Sequence, residues 1–112
     1  MAAKLFKRAI EKFELIGEVL PDGLTYHYWA NALRKLAKLT LHDGDSVNLL
    51  IHSFNKFKRI PAGFSSSAYK SWRKALHQLE DLMINSDEWQ ELWAKEFEVW
   101  FKNGSQAIHL KL

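Results

Sequence analysis

Apolar residues recur at intervals of three and four along nearly the whole chain, a spacing that suits packed amphipathic helices and little else. Phe6, Ile10, Phe13, Ile16 and Leu20 step by 4, 3, 3 and 4 and so share one face of a first helix. Pro21-Asp22-Gly23 stops it, because proline breaks the helical ladder and glycine accommodates a turn. A second helix is expected to open near Thr25 and to repeat Trp29, Leu33, Leu36 and Thr40. His42-Asp43-Gly44-Asp45 is the next break, with Asp43 or Asp45 as the N-cap of a third helix. Its apolar side holds Val47, Leu50, Ile51, Phe54 and Phe57, and Pro61-Ala62-Gly63 ends it. Ser65, Ser66 and Ser67 offer caps for a fourth helix carrying Tyr69, Trp72, Leu76, Leu79 and Met83. Asn85-Ser86 introduces a fifth, with Asp87 and Glu88 in the first turn, where the helix dipole favours acids. Trp89, Leu92, Trp93, Phe97, Trp100 and Phe101 form its apolar side.

The expected fold is therefore all-α, a compact bundle of about five amphipathic helices forming a single domain over residues 1–104. Its core is expected to hold Phe6, Phe13, Trp29, Leu33, Leu50, Phe54, Trp72, Leu76, Leu79, Phe97 and Trp100. Lys102-Asn103-Gly104 should close the last helix. Residues 105–112 then read as a short extended tail, since Ile108, Leu110 and Leu112 alternate with His109 and Lys111. The 112 residues suit one core, and 47% hydrophobic with 26% charged residues excludes disorder. The absence of cysteine excludes a disulfide framework, a thiol nucleophile and any thiolate zinc site. No apolar run approaches the roughly 20 residues that span a bilayer. The charged first twenty residues lack the apolar centre of a secretory signal. A cytoplasmic protein without a membrane partner is expected.

The net charge of +3 conceals a segregation. Residues 24–79 carry nine bases against Asp43 and Asp45, whereas residues 80–101 carry seven acids against Lys95. Neutralisation between helices inside the fold would explain this, and so would two surfaces of opposite sign. The polar faces favour the second reading. His27, Asn31, Arg34, Lys35 and Lys38 form one stripe; Asn48, His52, Asn55, Lys56 and Arg59 form another; Lys70, Arg73, Lys74 and His77 form a third. No acid falls inside any of them. Lys and Arg engage phosphates, while Asn and His add hydrogen bonds to phosphate, sugar or base edges. The nucleic-acid-binding candidates are thus Arg34, Lys35, Lys38, His52, Asn55, Lys56, Arg59, Lys70, Arg73 and Lys74. The fifth helix offers the opposite chemistry. Glu88, Glu91 and Glu98 line its polar side, with Lys95 placed to pair with Glu91, and Trp89 and Trp93 could anchor a protein partner.

Catalytic patterns are thin. His42, Asp43 and Asp45 supply the ingredients of a metal site but read better as a capped turn. Ser65-Ser66-Ser67 lacks the glycine framing of a nucleophile elbow, and the five glycines are too scattered for a phosphate loop. A helix-turn-helix centred on Gly44 fits poorly, because Asp43 and Asp45 occupy positions that should be apolar. No enzyme, cofactor or metal is expected. In its build, small, basic and helical without catalytic groups, the chain resembles helical small subunits of ribonucleoprotein assemblies, such as those of CRISPR effector complexes. That resemblance implies a non-enzymatic accessory subunit, bound to protein subunits of a larger assembly and to RNA or single-stranded DNA rather than specific duplex DNA. The alternative is a small protein-binding regulator, a phage or plasmid inhibitor or antitoxin-like partner, acting through the acidic, tryptophan-rich last helix.

Overall fold

The computed structural model describes residues 2–16, 22–61 and 65–111, with side chains as far as Asn103. The described residues form five helices, α1 (Ala2–Ile16), α2 (Gly23–Leu39), α3 (Asp43–Phe57), α4 (Ser66–Met83) and α5 (Asp87–Lys111). No strand occurs among the described residues, so the all-α expectation holds. Leu20, Pro21, Ala62, Gly63 and Leu112 lie outside the described residues, as do the side chains of Ile108, His109 and Leu110. The helices fall into two compact units, residues 1–60 with α1 to α3 and residues 61–112 with α4 and α5.

Helix α2 opens two residues before Thr25, because Asp22 caps it. The Thr25 amide donates to Asp22 Oδ1 at 2.7 Å, and accepting that bond holds the carboxyl below its ordinary pKa. The cap of α3 differs from expectation. It is His42, whose Nδ1 accepts from the Asp45 amide at 3.3 Å, while Asp43 and Asp45 sit in the first turn and complement the dipole. Gly44 makes room for that ring, since a Cβ there would lie 3.0 Å from His42 Cε1. Ser65 caps α4 by accepting from the amides of Ser67 and Ala68. The expected stop at Gly104 also fails. The α5 backbone stays helical to Lys111, where an extended tail was expected. A glycine inside a helix costs about 1 kcal/mol but does not forbid it, and no proline follows to enforce the stop.

In the first unit, α2 packs against both α1 and α3. The α1–α2 seam holds Ile10, Tyr26, Trp29, Leu33 and Leu36, with Phe6 and Phe13 only partly buried against them. The Phe13 ring stacks on Trp29 at 5.8 Å. The α2–α3 seam is built on small residues. Ala30 and Ala37 are buried, and the hydroxyls of Ser53 and Ser46 donate to their carbonyls, each at 2.8 Å. The two rungs lie seven residues apart on both helices, which fixes an antiparallel register two turns long. The α3 side chains Leu50, Phe54 and Phe57 have no exposed surface, each contributing about 1.5–3 kcal/mol by burial.

In the second unit, α4 buries Ala68, Trp72, Ala75, Leu76 and Leu79. Helix α5 carries an aromatic ladder. Trp93 stacks on Phe97 at 5.0 Å, and Phe97 meets Trp100 at 5.5 Å and Phe101 at 6.2 Å. Phe97 and Trp100, expected in the core, are half-buried at its edge.

Candidate nucleic-acid interface

Of the stripe expected on the third helix, the structure keeps every member but Lys56 on one exposed face. Asn48, His52 and Asn55 of α3 and Arg59 on the following turn are all exposed and fall within about a sixth of the helical circumference. Asn48, His52 and Asn55 make no hydrogen bond or ion pair among the described residues, so their donors and acceptors face solvent. The only acids on α3, Asp43 and Asp45, are confined to its first turn. Arg59 is anchored on Tyr26. Its guanidinium lies 5.9 Å from the Tyr26 ring centre, and Nη1 donates to the Tyr26 hydroxyl at 3.4 Å. That holds the base near the stripe while leaving the side chain exposed.

Lys56 plays a different part. Its ammonium sits 3.8 Å from the centre of the Trp29 ring, half-buried, where the attraction between cation and ring face stabilises the first unit. It borders a groove of about 550 Å³ between α1 and α3, floored by Trp29, Leu33 and Leu36 and walled by Ile10, Glu14, Leu49 and His52.

On α2 the expected stripe splits. Lys35 and Lys38 are exposed, but His27 is buried and Arg34 is half-buried with its Nε 3.3 Å from Asn31 Oδ1. Burial, then the Arg34 charge, pushes the His27 pKa down, so the ring stays neutral near pH 7. Burial also lowers Arg34, whose starting value is high enough to keep it charged. His27 belonged to the polar stripe by its spacing alone. Its place on the helix edge, next to Tyr26 and Ala30, is what buries it.

The α4 stripe is not free of acid. Lys70 and Lys74 are exposed, yet Glu80 lies 3.0 Å from His77 Nδ1 and 3.6 Å from Arg73 Nη1. Arg73 also spreads over the rings of Trp100 and Phe97, at 5.1 and 5.5 Å. It is a packing residue, since an arginine stem and fork cover aromatic surface well.

The residues expected to form a protein interface divide as well. Glu91 and Glu98 are exposed, Trp89 and Trp93 only partly so. The Trp93 ring is committed to Phe97. Glu91 and Lys95 form no ion pair among the described residues; Glu98 instead meets Lys102 at 3.0 Å. Glu96, which counted toward the acidic segment, is buried, in line with its place on the same side as Trp89, Trp93 and Trp100.

Sequence reasoning passed over Tyr28, which is 56% exposed on α2. An aromatic residue at the polar side of a helix was the available signal. Among the described residues no three His, Asp or Glu side chains lie close enough to hold a metal ion. No known protein family, curated protein or solved structure matches this chain.

Proposed function

We propose that the protein is a non-enzymatic nucleic-acid-binding accessory subunit that engages the phosphate backbone through its first unit. The observation that carries this reading is the exposed stripe Asn48-His52-Asn55-Arg59, which has no acid among its own members, flanked by the exposed Lys58. Lys35 and Lys38 add a second cationic patch on α2, a helix without a single acidic residue, on the side turned away from the α2–α3 seam. Arg59, Lys35 and Lys38 neutralise phosphates, and the amides and His52 add shorter hydrogen bonds. Arg73 and Lys56 are removed from the contact set by their aromatic packing, and Arg34 by its burial. Lys70 and Lys74 remain secondary candidates on the other unit.

The test is retardation of labelled RNA, single-stranded DNA and duplex DNA at low salt, followed by salt titration. Arg59→Ala, Lys35→Ala and Lys38→Ala should each lower affinity for all sequences alike and reduce the salt slope by about one unit. Absence of binding at low salt, or indifference to all three substitutions, removes the proposal. In the rival reading, the outer face of α5 docks a basic protein partner. It retains one favourable observation, the exposed Phe101 three residues beyond Glu98. Reversal of Glu91 and Glu98 to Lys separates the two, because only the protein-docking surface depends on those charges.

A further inference from the structure

The outward face of α2 combines two features that the phosphate-binding role does not require together. Leu24, Tyr28, Asn31, Lys35 and Lys38 fall within roughly a quarter of the helical circumference, and the helix contains no acid to oppose a polyanion. Tyr28 is the only aromatic residue among them, and more than half of its surface is open to solvent. One side of its ring environment is already fixed. The rings of Tyr28 and His27 lie nearly parallel, 9° apart with centroids at 5.9 Å, and His27 is buried. An exposed aromatic ring costs solvation and gains nothing from the core, whereas a ring held parallel beside a buried neighbour keeps its faces open to a further planar group. Lys35 and Lys38 stand two and three turns further along, about 10 and 15 Å from Tyr28 by helical rise. Lys38 makes no ion pair or hydrogen bond among the described residues, and Lys35 only approaches the Phe6 ring at 5.9 Å.

We infer that Tyr28 is a base-stacking platform, and that the α2 face binds single-stranded nucleic acid with one unpaired base on Tyr28 and the adjoining phosphates on Lys35 and Lys38. The inference rests on the nucleic-acid reading and adds to it the class of strand. A duplex hides its base faces within the stack and offers phosphates alone, so the ring discriminates between the two. Stacking tolerates any base, because every base has a π-face, and the resulting preference is for strandedness rather than sequence.

The experiment compares labelled oligouridylate and oligothymidylate of about 15 nucleotides with a duplex of the same length, by fluorescence anisotropy at low salt. The wild-type protein should favour the single strands. Tyr28→Leu, which keeps apolar bulk without a π-face, should weaken single-strand binding about five-fold or more. It should leave duplex binding and the salt slope unchanged. Tyr28→Phe should retain the preference. Lys38→Ala should instead reduce the slope for single strands by about 0.7 unit. Circular dichroism of each variant reports whether the helices persist, and Tyr28→Ala, a strong helix former without a ring, supplies the comparison if Tyr28→Leu loses them. Single-strand binding that ignores loss of the Tyr28 ring, or equal affinity for duplex, overturns the inference and leaves phosphate binding standing. Failure of every oligonucleotide to bind overturns the proposed function itself, and the inference with it.

Discussion

Tyr69 and Trp100 hold each other by reciprocal hydrogen bonds. The Tyr69 hydroxyl donates to the Trp100 carbonyl at 3.2 Å, the Trp100 indole donates to the Tyr69 carbonyl at 3.3 Å, and the rings stack at 4.6 Å. Each side chain thus satisfies its own polar atom on the backbone of the other helix, which pins α4 to α5 in one register. Burial raises the Tyr69 pKa, with the nearby Arg73 charge opposing it, so the hydroxyl remains a donor through neutral pH. Trp100→Ala should cost about 2–4 kcal/mol, below a fully buried tryptophan because this ring is only partly covered. Tyr69→Phe removes one hydrogen bond and should cost about 1 kcal/mol. Urea denaturation of Tyr69→Phe, of Trp100→Phe and of the two combined gives the coupling directly. Strict additivity would show that the two bonds do not act together.

His27 sets an acid limit on stability. Its pKa is lowered in the folded protein by burial and by Arg34, so folding favours the neutral ring. The sign follows from linkage. The unfolded state binds the proton more readily, and the contribution is complete above the unfolded value of about 6.5 and lost as pH falls through the lower folded value. The denaturation midpoint should therefore drop on acidification below about pH 6.5, and His27→Asn should flatten that dependence. Equal slopes in the two proteins over this range would assign acid sensitivity to other groups.

Lys56 and Arg59 are three residues apart yet should respond differently to substitution. Lys56 lies over Trp29 at 3.8 Å, so Lys56→Met should lower stability by about 0.5–1 kcal/mol. Its effect on the salt slope of nucleic-acid binding should be smaller than that of Arg59→Ala. A full unit of slope lost with Lys56→Met would return Lys56 to the phosphate-binding set.

The five helices were legible because burial of large apolar residues leaves a period of 3.6, and Trp29, Leu50, Phe54, Trp72, Leu76 and Leu79 all obey it. What that period misses is size and distance. Ala30, Ala37, Ser46 and Ser53 form the α2–α3 seam because they are small, but a hydrophobicity pattern gives alanine and serine little weight. Arg73 and Lys56 read as surface cations because their aromatic partners lie on other helices, 24 residues or more away in the chain. His27 and Glu96 show the converse, polar residues buried by their position on the helix edge or core side. Of the candidate site, the exposure of Asn48, His52 and Asn55 was readable because they share one helix face and need no partner.

The α2–α3 junction gives the last test. His42 caps α3 with its ring close over Gly44, where a Cβ would lie 3.0 Å from the imidazole and press it out of place. Gly44→Ala alone should therefore change stability little. It gains roughly 0.5–1 kcal/mol of helix propensity and displaces a cap worth about 1 kcal/mol. With His42→Ala the cap is already gone and the ring no longer obstructs, so Gly44→Ala should then stabilise by the full propensity difference. The same substitution is thus predicted to be near neutral in one background and stabilising in the other, a coupling read by thermal or urea denaturation of the four proteins. A Gly44→Ala effect equal in both backgrounds would show that a Cβ at this position does not displace the imidazole from the cap.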